Sequence, residues 1–135
     1  MCGVFLTSVM PAGAADVDVA VTGIRNDRGN IRVAICDKAN FPNGACAYHG
    51  EAPARAGSVT IRIAGVPAGI WAAAVYHDEA GIRHLEYTLF GMPKQGLGFS
   101  RDARMRFGPP KFTDAAFRVG QSGVTVTVPL RYPKP

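Results

Sequence analysis

Residues 65–79 read Gly-Val-Pro-Ala-Gly-Ile-Trp-Ala-Ala-Ala-Val-Tyr-His-Asp-Glu, and their reading decides the fold. Gly65 to Gly69 supply the glycines and proline of a tight turn. Ile70 to His77 is then apolar on both faces. That pattern predicts a central strand covered on both sides, with alanines where another layer approaches closely. Trp71 reads as a core anchor rather than a ligand platform.

Upstream the chain alternates. Val17, Val19 and Val21 share one face of a segment from Asp16 to Ile24, with Asp18, Ala20 and Thr22 on the other. Period two is the mark of a half-buried strand. Asn26 to Asn30 forms a turn, since Gly and Asn tolerate positive φ. Ile31, Val33 and Ile35 alternate again, and the two segments are expected to pair as a hairpin. Ser58 to Ala64 makes a third strand with Val59, Ile61 and Ile63 inward.

Downstream lie Ala115–Val119 and Val124–Tyr132. Pro129 cannot donate to a ladder, so the last strand ends at an edge or outside the pairing. No segment carries a helical period of useful length, and Asp114 to Phe117 allows one turn. Six or seven short strands with Gly/Pro turns predict an all-β fold, a β-sandwich of about seven strands. One long ordered loop or crossover, His77 to Phe117, interrupts it. Loops beyond about 15 residues are functional or packed on themselves. Phe99, Phe112 and Phe117 read as packing residues, while Tyr87, Phe90 and Phe107 are open to either role.

At 135 residues the chain is the size of one domain. Its 47% hydrophobic and 19% charged residues suit a soluble core-forming protein. No apolar run reaches the ~18 residues of a membrane-spanning helix. Residues 1–15 hold no charged side chain and end in Ala12-Gly13-Ala14-Ala15. They resemble a secretory leader without its basic start, as from a late start codon or a truncation. Residues 16–135 are then the domain, and export to the periplasm or the extracellular space is expected.

Without the leader, Cys36 and Cys46 remain. They flank a polar, turn-rich loop, and in an oxidising compartment such a pair reads as a disulfide. Free thiols are the alternative, and the spacing does not resemble a zinc pattern. The net charge is +5. Six basic residues between Lys94 and Arg118 face only Asp102 and Asp114. Arg101, Arg104, Arg106 and Lys111 are therefore candidates for an anion- or partner-facing surface. No nucleic-acid motif is present.

Two further chemistries are considered. His77, Asp78, His84 and Glu86 carry imidazole and carboxylate groups that suit a divalent metal such as zinc or copper. The bland alternative has His77 bonded to loop backbone and His84 and Glu86 on the surface. A small hydrolase would need a nucleophile such as Ser100, yet there is no Gly-x-Ser-x-Gly elbow and a loop serine more often bonds backbone groups.

Several motifs in order, Gly23–Asp37, Val66–Glu79, Gly91–Ser100 and Phe107–Phe117, resemble the bacterial domain-of-unknown-function 2141 family. The resemblance covers nearly all of the chain after the leader and implies an exported, prealbumin-like (transthyretin-like, Ig-like) β-sandwich with no established activity. In that family the segment after His-Asp resembles a calcium loop rich in Asp, Asn and Gly. Here Ala80 and Ile82 replace oxygen donors and Arg83 adds a positive charge, whereas calcium takes about six or more oxygens. The sequence thus points first to a non-enzymatic binding or interaction module of the cell envelope. Its expected partner is an envelope protein, a glycan or an anionic ligand. A metal-binding protein using the His77–Glu86 loop and a small hydrolase are the alternatives.

Overall fold

The computed structural model describes residues 14–133 except 43 and 107. Most of the leader-like segment, and Phe107, therefore lie outside the described residues. Strand accounts for 51% and helix for 6%, so the fold is all-β. Eight strands follow one another: β1 (Ala14–Ile24), β2 (Asn30–Cys36), β3 (Tyr48–Pro53), β4 (Gly57–Pro67), β5 (Gly69–Asp78), β6 (Leu97–Phe99), β7 (Phe117–Val119) and β8 (Val124–Pro129). A single helical turn, α1 (Phe112–Ala115), precedes β7.

The strands form two sheets. One has the order β4-β1-β8, and the other runs β3-β2-β5-β6, with β7 pairing the start of β5. Within the first sheet β1 is antiparallel to β4 and parallel to β8. Val17, Val19 and Val21 of β1, Ile61 and Ile63 of β4, and Val126 and Val128 of β8 pack against Ile31, Val33 and Ile35 of β2 and Ala73 and Val75 of β5. The main core therefore lies between the sheets, built from the period-two faces visible in the sequence.

The expected β1–β2 hairpin is not formed. β1 pairs β4 and β8, and β2 pairs β3 and β5. The Arg25–Gly29 connection crosses from one sheet to the other. Alternation alone cannot separate the two arrangements, because both turn the same valines and isoleucines toward one core. β3 was also missed, and its Gly, Glu, Ala and Pro have low strand propensity. β4 continues to Pro67 and β5 begins at Gly69, which shrinks the expected turn to Ala68.

β5 is central, bonded to β2 on one side and to β6 along Ala74–Tyr76. Its second apolar face has its own cover. Ala72, Leu97, Phe99 and Ala115 form a separate buried cluster, joined by Phe41, Leu85, Met105 and Phe112. Phe41 meets Phe99 and Phe112 edge-on, with ring centroids 5.8 and 6.1 Å apart, a favoured aromatic geometry. Much of the long crossover is thus a third layer folded onto the outer face of the larger sheet. Gly98 is required inside it, because a Cβ there would run into the Pro129 carbonyl oxygen.

Candidate functional site

The third layer does not cover the whole outer face. Register places His49 of β3 beside Ala34 of β2, and Ala34 beside Ala74 of β5; the next row is Glu51, Arg32 and Tyr76. These residues point outward, since Ile31, Val33 and Ile35 point in. Two adjacent alanines leave a depression where larger side chains would have filled the sheet. The result is an open groove of about 590 Å³, floored by Ala34 and Ala74 and edged by Arg32, His49, Glu51, Tyr76, Arg83 and Leu85. Its size falls within the range of small-molecule sites.

The polar end of the groove is held rigidly. Arg32 Nε donates to Asp78 Oδ2 at 2.8 Å, and its Nη1 pairs with Glu51. The backbone N–H groups of Ile82 and Arg83 donate to the two Asp78 oxygens at 3.0 and 2.9 Å. Arg83 adopts φ 66° to present its N–H, a conformation non-glycine residues seldom take. Burial pushes the Asp78 carboxyl up, but the Arg32 hydrogen bond and the two N–H donors outweigh it and hold the carboxyl below its usual range. Burial, aided by the Asp78 charge, raises the Tyr76 phenol, so it remains a protonated donor at the groove edge. Among the described residues Arg83 makes no ion pair, which leaves its guanidinium available at the rim.

Glu79 anchors the turn that crosses between the sheets. It accepts from Arg25, Asn26 and Arg28 at 2.6 to 3.0 Å. Burial raises its carboxyl, and the bonds to Asn26 and Arg25 bring it below the ordinary value. Gly29 completes the crossing with φ 67°, and a Cβ there would collide with the Asp78 carbonyl oxygen.

His77 is fully buried and points into the main core. Nε2 lies 2.6 Å from the Arg28 carbonyl oxygen. A carbonyl only accepts, so Nε2 carries the proton. Nδ1 lies 2.6 Å from the Tyr132 hydroxyl, which also accepts the Arg25 backbone N–H at 3.1 Å. That arrangement has the hydroxyl donating to Nδ1, and both ring nitrogens are then occupied.

The structure therefore does not gather the metal set His77, Asp78, His84 and Glu86. His77 faces the core and Asp78 is bound by Arg32 and backbone N–H groups. His84 contacts the Ile82 carbonyl at 2.9 Å through Nδ1, and the Glu86 side chain is exposed. Gln95 clasps this loop, accepting from Glu86 N and donating to the His84 carbonyl. No group of three or more His, Cys, Asp or Glu with metal-binding geometry occurs among the described residues. The arrangement is the alternative the sequence also offered, with His77 bonded to loop backbone and His84 and Glu86 on the surface; the Arg32 and backbone partners of Asp78 were not anticipated.

Ser100 is buried as well. Its Oγ accepts the Ala73 N–H at 2.9 Å and donates to the Ala115 carbonyl at 2.5 Å, so it joins β5 to α1 and has no histidine partner. Of the basic segment, Arg104, Arg106 and Lys111 share one shallow depression with Asp102 and Asp114. Arg104 lies 3.7 Å from Asp102, and Arg101 turns instead toward the Ala116 carbonyl. Cys36 and Cys46 form a disulfide that closes the loop between β2 and β3. That pair was the one sequence signal able to reveal β3, since it places the chain after Cys46 beside β2. His49, Tyr76 and the alanine floor were not singled out as site residues, because they converge only through sheet register.

The described chain is thus a disulfide-bearing, two-sheet all-β domain with a third layer and an open outer groove. It belongs to the family described as uncharacterized protein conserved in bacteria (DUF2141), whose family model matches residues 19–127. No curated protein and no solved structure matched the chain. Among the described residues no helix is long and apolar enough to cross a membrane.

Proposed function

We propose that this protein is a non-enzymatic binding module of the cell envelope, a prealbumin-like sandwich exported to the periplasm or beyond, which holds a small amphipathic ligand in its outer groove. The groove itself carries the reading. Ala34, Ala74, Pro42, Leu85 and Leu97 offer an apolar bed, and Arg83, His49 and the Tyr76 hydroxyl lie at its edge. Few polar groups around an apolar floor is the usual make-up of a ligand site. Arg83, which makes no ion pair among the described residues, favours a ligand with an anionic end, since guanidinium recognises carboxylate and phosphate in a fork. Export is supported by the Cys36–Cys46 disulfide, a bond that persists in oxidising compartments.

The test is a thermal-shift and NMR screen of amphipathic carboxylates, phosphates and oligosaccharides, run on the native protein and on Ala34→Trp. Ala34 faces the groove, so the indole fills it without entering the core. The expected result is an anionic amphiphile that shifts Ala74 and Tyr76 resonances and is lost, about tenfold or more in affinity, in the variant. Equal binding by both proteins, or no perturbation of those resonances by any compound, overturns the reading.

A further inference from the structure

One surface feature is independent of the groove. Within the long crossover, Tyr87 and Pro93 face each other across an antiparallel bridge, and the turn between them is Thr88-Leu89-Phe90-Gly91-Met92. Leu89 and Phe90 are 103% and 93% exposed and Met92 is 55% exposed. Three large apolar side chains thus stand in water at the tip of a prong, without covering any part of either core. Isolated exposed apolar residues are ordinary, but a contiguous apolar tip marks an interaction site.

Four of the five N–H groups of the tip are bonded within the turn. Thr88 N donates to the Met92 carbonyl at 2.8 Å, and Gly91 N to the Thr88 carbonyl at 2.9 Å. The Thr88 hydroxyl accepts from Phe90 N and Met92 N at 3.3 and 3.2 Å. Bonding these amides internally lowers the cost of placing the tip among acyl chains, where unsatisfied backbone groups are costly. The phenol of Tyr87 and the side chain of Lys94 adjoin the tip. Apolar side chains beside a phenol and a cation match the three chemistries of a bilayer, hydrocarbon, interface and anionic headgroup. A protein partner is a poorer fit, because stable protein interfaces bury about 800 Å² per side over a broad patch, and this prong offers three side chains.

We propose that the Thr88–Met92 turn is a membrane-surface anchor that inserts Leu89, Phe90 and Met92 among the acyl chains of an anionic bilayer. Lys94 and the overall net charge of +5 supply the attraction to the headgroups. Binding is peripheral and reversible, as a short apolar wedge plus charge gives.

Flotation of the full chain with phosphatidylcholine vesicles and with vesicles containing 30% phosphatidylglycerol tests this. The native protein is expected to float with the anionic vesicles and weakly or not at all with the zwitterionic ones. The double substitution Leu89→Ser/Phe90→Ser is expected to reduce anionic-vesicle binding at least about tenfold while leaving the melting temperature unchanged, since both side chains are solvent-exposed. Lys94→Ala is expected to reduce it about fivefold at low salt. Failure of the native protein to float with either vesicle overturns the proposal, as does equal flotation of the double variant. Equal binding to both vesicle types overturns the anionic preference. A concentration-dependent dimer that the double substitution abolishes, without vesicle binding, assigns the tip to a second copy instead.

Discussion

The Tyr132 hydroxyl lies 2.6 Å from Nδ1 of His77, and through it the segment after β8 is tied to the central strand of the opposite sheet. The same hydroxyl accepts the Arg25 N–H, while the Arg25 guanidinium sits 4.6 Å from the Tyr132 ring centroid. One phenol thus fastens three segments. Tyr132→Phe keeps the ring and removes the fastening, leaving a buried imidazole nitrogen without a partner. A loss of about 1–2 kcal/mol is expected, read by urea unfolding at neutral pH. Unchanged stability would show that the hydroxyl contact carries no weight.

Asp78 sets an acid limit. Its carboxyl and that of Glu79 are held below their ordinary range in the folded protein. A depressed folded pKa contributes stability above the unfolded value, and that stability is lost as pH falls through about 4 toward the folded value. Unfolding free energy is therefore expected to drop as pH falls through the ordinary carboxylate range. Asp78→Asn breaks the buried pair with Arg32, costs about 3 kcal/mol at pH 7, and flattens the profile below pH 5. A variant with the native acid slope would remove Asp78 from this role.

The disulfide joins residues ten apart in sequence. In the chain-entropy account, closing so short a loop stabilises by about 2–3 kcal/mol. The double variant Cys36→Ala/Cys46→Ala is expected to melt about 10 °C lower in calorimetry. It retains the β2–β3 ladder, because six register pairs hold that ladder without the bridge. Mass spectrometry of the native protein after alkylation under denaturing conditions is expected to find neither cysteine modified. Stoichiometric labelling of both would contradict the bond.

Gly29 is the tightest point of the crossing between sheets. Alanine there must hold a positive φ and displace the Asp78 backbone. Together strain and overpacking are expected to cost about 3 kcal/mol, measured by chemical denaturation. A Gly29→Ala variant within 0.5 kcal/mol of native, on the order of ordinary surface changes, would mean that the crossing adjusts freely.

What the sequence revealed followed from side-chain period. Val17, Val19 and Val21, or Ile31, Val33 and Ile35, could be assigned to buried faces because alternation is a local property. The doubly apolar Ile70–His77 segment announced a central strand and a second covering layer, and both exist. Partnership was not local. The same alternation serves a hairpin or two sheets facing each other, so β1 was paired with β2 when its neighbours are β4 and β8. Site residues suffered more. His77 and Asp78 are adjacent in β5, so one faces the core and the other the outer surface, and counting metal-capable side chains could not choose between the metal set and the dispersed alternative. The groove rests on Ala34 and Ala74, and small side chains give little signal until register sets them side by side.

β1 and β8 run parallel, with Val17 opposite Val124 and Val21 opposite Val128. A parallel pair between the first and the last described strands has a consequence for the order of events. The smaller sheet gains its second edge only once Val124–Pro129 is present. Until then β1 offers an unpaired flank of valines and free amides to any neighbouring strand. Pairing across such a sequence separation is slow, and an unprotected strand edge invites intermolecular pairing. Until Val124–Pro129 docks, the smaller sheet is half-closed along the β1 edge.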